Sequence, residues 1–247
     1  IKSPRFSYAE QREQLDLLAS LNEDHLKARH QDSGLNAQIR SMETAYRMQM
    51  EASDAFDINR EPESVRASYG ESRFGKSCLL ARRLVEKGVR FVSVYYTTDS
   101  NTQPWDTHKN HDKGHAKLCV DSDRASAALI SDLKARGLLE DTLVVWSGEF
   151  GRTPYAQDDK SGNAGRDHHH TAFSTLLAGG GVRGGYAYGN SDEFGMHAVD
   201  RPVHVHDLHA TMLHLLGIDH EALTYRYSGR DYRLTDVYGK VIQDIVA

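Results

Sequence analysis

Two hydrophobic rhythms run along the chain. From Tyr8 to about Ala55 the sequence is polar and almost free of glycine, with Leu15, Leu17, Leu18, Leu21 and Leu26 at helical spacing and Ile39, Met42, Tyr46 and Met50 following at the same period. The Ser33-Gly34 pair interrupts them. This pattern predicts two helices joined by a short turn, an N-terminal hairpin whose methionines pack. Beyond residue 60 the rhythm changes to short β-branched runs separated by helical stretches. Arg90 to Tyr96 reads as a strand and His115 to Arg136 as a helix stopped by Gly137. Leu143 to Trp146 reads as a buried strand, and Ala172 to Ala178 as another that ends at Gly179-Gly180-Gly181. Val203-His204-Val205 is a short strand at best, and a last helix spans about Asp207 to Leu216 before Gly217. Strand, helix and strand in alternation predict an α/β fold, a mostly parallel sheet flanked by helices with right-handed crossovers. The domain division expected is residues 1–60 for the helical hairpin and 61–247 for the α/β domain.

Polar residues at strand ends add the chemistry. In an open α/β sheet, ligands sit beyond the carboxyl ends of the strands, where loops can present charges that the interior cannot tolerate. Three such loops carry metal-ligating side chains. One holds Asp106 and His108, two residues apart. The second, Gly148-Glu149-Phe150-Gly151-Arg152-Thr153-Pro154, holds Glu149 and Arg152, and the third, Gly165-Arg166-Asp167-His168-His169-His170, holds His168. Mixed oxygen and imidazole donors suit zinc or manganese, with calcium or magnesium as alternatives. A metal there would polarise an ester oxygen, and the planar fork of Arg152 fits a tetrahedral anion. Glu149 and Arg152 would otherwise form a pair that only fixes their loop. Consecutive extended side chains point to alternating sides, so His168, His169 and His170 are not all ligands, and one of His169 and His170 is left to stand behind the ligands or to donate a proton. His206 and His209 either join Asp207 in a helix cap or serve a function. His214 and His220 read as structural.

Gly70-Glu71-Ser72-Arg73-Phe74-Gly75-Lys76-Ser77 matches the phosphate-loop pattern G-x-x-x-x-G-K-S/T letter for letter. That loop needs a buried strand running into its first glycine. The preceding Glu61 to Tyr69 is charged and contains Pro62, so the context fails.

Composition narrows the function classes. Of 247 residues, 39% are hydrophobic and 26% charged, which suits a globular chain, and a net charge of -5 gives no basic field for nucleic acid. No apolar run reaches the roughly 18 residues needed to span a bilayer. Cys78 and Cys119 make no disulfide framework. Fourteen histidines, many clustered, point towards metal.

The series Trp105-Asp106-Thr107-His108, Gly148 to Pro154, Gly165-Arg166-Asp167-His168, Leu177 to Gly185 and Gly229 to Asp236 resembles, in order and over nearly the whole chain, a bacterial family known as domain of unknown function 1501. That resemblance implies an alkaline phosphatase-like, sulfatase-like fold and a metal-dependent hydrolase of sulfate or phosphate esters. Asp106, His108, Glu149 and His168 would hold metal and Arg152 and His169 the substrate, a small-molecule or carbohydrate ester. It also implies a periplasmic or secreted location. Two departures stand out. Phe150 occupies the place where the superfamily has a histidine ligand, and no segment before Tyr8 matches the first strand with its nucleophile, so the chain resembles the C-terminal part of such an enzyme. The alternative is a non-catalytic metal-binding or scaffold protein that keeps the fold.

Overall fold

The computed structural model describes residues 5–28, 33–51, 54–98, 103–157 and 163–247. The chain divides into two compact units, residues 1–61 with 83–92, and residues 62–82 with 93–247.

The smaller unit contains α1, Tyr8–Ala28, and α2, Ser33–Glu51. The turn expected between them falls partly outside the described residues. Leu15 is half-buried, whereas Leu17, Leu18 and Leu21 are exposed, so the leucines do not share one packed face. The firmest point in this unit is Arg83. Its Nε donates to Ala55 O at 2.8 Å, its Nη2 donates to Asp54 O at 2.7 Å, and its Nη1 pairs with Glu61. Both side chains of the Arg83–Glu61 pair are about nine-tenths buried, so the hydrogen bonds to Asp54 and Ala55 offset the cost of removing the guanidinium from water.

The larger unit is organised by helices. α3, Glu63–Tyr69, leads into α4, Arg73–Glu86, and α3 packs against α5, His111–Ala135. Its buried residues include Tyr69, Cys78, Leu79, Ala125 and Leu133. Asp132 of α5 ties three neighbours together. It accepts from the Tyr69 hydroxyl at 2.9 Å and from Arg136 Nε at 2.7 Å, and it pairs at 2.9 Å with Arg82, which has no exposed surface. Gly137, with φ 70°, ends the helix run, as Gly217 does after α6, Val205–Leu215.

The strands correct the sequence reading. β1 (Val144–Trp146) pairs with β4 (Leu176–Ala178), and β2 (Gly151–Arg152) with β3 (His168–His169). β5 (Asn190–Ser191) pairs with β6 (Ala198–Asp200), and β7 (Thr224–Tyr227) with β8 (Arg230–Arg233). All four pairs are antiparallel and each is its own two-stranded sheet, so the mostly parallel, alkaline phosphatase-like sheet is absent among the described residues. Residues 91–98 have no ladder partner, which removes the expected βαβ unit.

The reversal can be traced to the glycine triplet. Gly180 N–H donates to Leu139 O at 2.9 Å, and a Cβ on Gly179 or Gly180 would fall within 2.4–2.8 Å of residues 139–143. The end of β4 is thus pressed against the start of β1, with Val144 opposite Ala178, and only an antiparallel pair meets that condition. Val145 and Trp146 are exposed rather than buried. A β-branched run specifies extended backbone, but neither the direction of its partner nor its burial.

Val203 and His204 precede α6 instead of forming a strand. His204 accepts from His206 N–H, and its own N–H donates to Asp207, which makes a capping box. The phosphate-loop match covers the turn at residues 70–72 between α3 and α4 and the first turn of α4. α3 runs into Gly70, Lys76 lies within α4 and pairs with Glu71 at 3.3 Å, and a Cβ on Gly75 would lie 2.2 Å from Tyr69 O. Gly75 therefore permits the close approach of two helices, which explains the glycine without any nucleotide. Among the described residues no helix is long and apolar enough to cross a membrane.

Candidate metal centre

Asp106 and His108 lie on the segment before α5, and His168 lies on β3, opposite Arg152 of β2. The two segments are laced together by backbone bonds. Asn110 N–H donates to Asn163 O, His111 N–H to Ala164 O and Arg166 N–H to Thr107 O, at 3.1, 3.0 and 3.2 Å. Gly165 sits where they are closest, since a Cβ there would lie 2.0 Å from the carbonyl carbon and oxygen of His108. No side chain fits in that space.

The lacing brings three donor atoms together. Asp106 Oδ1 is 3.0 Å from His108 Nε2 and 3.0 Å from His168 Nε2, and the two imidazole nitrogens are 3.3 Å apart. With ligand bonds of about 2.0–2.2 Å, donors on one ion stand roughly 2.9 Å apart at right angles and roughly 3.4 Å apart at tetrahedral angles. The triangle falls within that range. Two imidazole nitrogens and an ionised carboxylate oxygen thus stand within 3.3 Å of one another, and an ion between them would accept a lone pair from all three. Asp106, His108 and His168 therefore form a group able to hold a metal ion. All three are partly open to solvent, which leaves coordination positions for water or a ligand.

The surroundings suit this use. Gln157 Oε1 is 2.7 Å from His108 Nδ1, and an amide oxygen only accepts, so the ring proton sits on Nδ1 and the Nε2 lone pair faces the triangle. Asp167 Oδ1 lies 3.7 Å from the same Nδ1. Phe150 packs on the His168 ring with centroids 4.5 Å apart. Arg152 Nη2 donates to Asp106 Oδ1 at 2.6 Å, and this bond, followed by the one from His168, holds the Asp106 carboxyl down at about 2 against the opposing effect of burial. Asp106 is thus a full anion at neutral pH.

Of the residues expected from sequence, Asp106, His108 and His168 meet, and Arg152 touches the first of them. Glu149 is exposed and stands outside the group. His169 is buried on the other side of β3, as the alternation of a strand requires, and its Nε2 donates to Met196 O at 2.8 Å. His170 is exposed. At α6, His209 Nδ1 donates to Val205 O, and His206 stacks on Tyr238 with centroids 5.5 Å apart, so Asp207 and His204 carry the cap. His220 bonds Thr235 at 3.0 Å. Gln157, Thr107, His111 and His115 also lie at the site, without a metal-ligand motif of their own in the sequence. The i,i+4 spacing of the last two at a helix start was the one available signal.

The side chains define a candidate divalent-metal site of one carboxylate and two imidazoles with an arginine beside it. The chain belongs to the family described as protein of unknown function (DUF1501), whose model matches residues 2–246. Comparison with curated proteins and with solved structures gave no match.

Proposed function

We propose that Asp106, His108 and His168 hold one divalent metal ion, zinc or manganese, and that the site hydrolyses sulfate or phosphate esters of small molecules or carbohydrates. The observation that carries this reading is the donor triangle, with edges of 3.0, 3.0 and 3.3 Å and an open side. Bound there, the ion would supply Lewis acidity and lower the pKa of a coordinated water. The protein's own contributions are separate from that. Gln157 holds His108 in the tautomer that can ligate, and Asp106 stays ionised beside Arg152. The Arg152 guanidinium is held beside the triangle by Nη2 donating to Asp106 Oδ1 at 2.6 Å and Nη1 donating to Arg166 O at 3.4 Å, and its remaining N–H groups would meet an oxygen of a tetrahedral ester. The ester class is what the family resemblance implies; the parallel sheet it also implies is absent among the described residues, so the reading rests on side chains rather than fold.

A second reading, metal binding without catalysis, is favoured by Glu149 standing outside the group and by Arg152 already paired with Asp106. Aryl sulfate and aryl phosphate hydrolysis by the zinc- or manganese-loaded protein separates the two. Turnover that disappears in Asp106→Ala and falls in Arg152→Ala supports hydrolysis. Stoichiometric metal with no turnover of either ester supports the second reading.

A further inference from the structure

On the side of the metal-bearing segment that faces α5, a second constellation is built from Thr107, His111 and His115. Asp106 and His108 reach His168, while the residue between them turns its side chain to the helix. Thr107 Oγ1 lies 2.8 Å from His111 Nδ1 and 2.9 Å from His115 Nε2, and the two rings, one turn apart, have centroids 3.9 Å apart. Gly114 lies between them, and a Cβ there would stand 3.3 Å from the Thr107 methyl. A glycine inside a helix costs about 1 kcal/mol relative to alanine, and an alanine here would require the Thr107 methyl to give by a few tenths of an ångström. The other end of Thr107 is also occupied, because its carbonyl accepts from Arg166 N–H at 3.2 Å, on the segment that leads to His168. One residue thus joins α5, the Asp106–His108 pair and the His168 segment.

The proton positions follow from the partners. A threonine hydroxyl has a single proton to give. His115 Nε2 faces both that hydroxyl and Trp105 O, at 3.3 Å, and a carbonyl can only accept, so Nε2 carries a proton and donates. The Thr107 hydroxyl is then free to donate to His111 Nδ1. The distances are satisfied together when both rings are Nε2–H tautomers. Their burial agrees with this, as it holds both rings below their ordinary pKa, and the charges of Arg152 and Arg166 act in the same direction.

We infer that Thr107 is the positioning residue of the metal centre: its hydroxyl, seated between His111 and His115, presents Asp106 Oδ1 and His108 Nε2 to His168 before an ion arrives. The inference rests on the metal reading, and its test keeps the two apart. Zinc and manganese affinities are measured by calorimetry on the wild type, on Thr107→Val, which keeps the shape without the hydroxyl, and on Thr107→Ser, which keeps the hydroxyl. Thr107 acts through the backbone between two ligands rather than by bonding a ligand itself, so the expected loss for Thr107→Val is about tenfold, the lower end of what partners bonded directly to ligands cost, with recovery in Thr107→Ser. A folded Thr107→Val that binds as tightly as the wild type overturns the inference. Imidazole nitrogen NMR of the metal-free wild type tests the clamp without any variant. Both His111 and His115 should be Nε2–H tautomers at pH 7, and a proton on His111 Nδ1 refutes the arrangement. A wild type that binds neither ion refutes the metal reading, and the tautomers then decide the clamp alone.

Discussion

Replacing Gly165 with alanine tests whether the donor triangle depends on the close passage of two backbones. The added Cβ would lie 2.0 Å from His108 C and O and 2.6 Å from Lys109 N. Non-bonded contacts of this kind need about 3.5 Å, so one segment must retreat by about 1.5 Å. The bonds that pin the segments, His111 N–H to Ala164 O, Arg166 N–H to Thr107 O and Gln157 N–H to Gly165 O, are between 2.9 and 3.2 Å and cannot all survive such a shift. A comparable shift would stretch the 3.0 Å separation between Asp106 and His168 past any distance that one ion can bridge. Overpacking costs about 1–3 kcal/mol, and the loss of placement should weaken metal binding at least about tenfold. Calorimetric metal affinity and thermal melting with and without chelator would measure both effects. Gly184→Ala serves as the control, because nothing lies within 4 Å of its added Cβ. A Gly165→Ala protein with wild-type affinity and melting temperature would refute the reasoning.

Asp132→Ala removes the carboxylate beside fully buried Arg82 and should cost about 3–5 kcal/mol in urea unfolding. Burial pushes the Asp132 carboxyl up, but bonds from Arg136 and Tyr69 and the charge of Arg82 outweigh it and hold it below its ordinary value. Its contribution is therefore present above the unfolded-state pKa of about 3.9 and is lost as pH falls through the folded value, so the variant should lack that part of the acid destabilisation. Gln157→Ala frees His108 Nδ1 and should weaken metal binding by about tenfold in the same calorimetric assay. Lys76→Ala should change stability by less than about 0.5 kcal/mol, because its pair with Glu71 is exposed, and neither protein should bind ATP in a filter assay. ATP binding abolished by that substitution would contradict the helical account of the motif.

Helical periodicity was legible. The stretches around Leu15, Met42, Leu129 and Leu208 are all helical, and Gly137 and Gly217 stop helices where their permissive backbone is needed. Strand pairing was not legible in the same way. Val144-Val145-Trp146 signals extended backbone, but its direction relative to Leu176–Ala178 is set by Gly179 and Gly180 packing against residues 139–143, a contact with no local signature. The candidate site was legible in part. Asp106, His108 and His168 stood out as ligand types beside turns, and they meet although the sheet that first suggested their convergence is absent. Glu149 follows a strand in the sequence as a ligand would, but the chain after Trp146 leaves it exposed and outside the group. Gln157 and Thr107 have no sequence signal, because their roles depend on which ring nitrogen or segment lies within hydrogen-bond reach.

The central claim is that Asp106, His108 and His168 share one ion. Elemental analysis of the purified protein, after loading with zinc or manganese and removal of the excess, tests it most directly beside Asp106→Ala, His108→Ala, His168→Ala and Glu149→Ala variants confirmed as folded. The account predicts about one ion per chain in the wild type and in Glu149→Ala, and loss of that ion in the other three. Metal retained at full stoichiometry in all three, or absent from the loaded wild type, would contradict it.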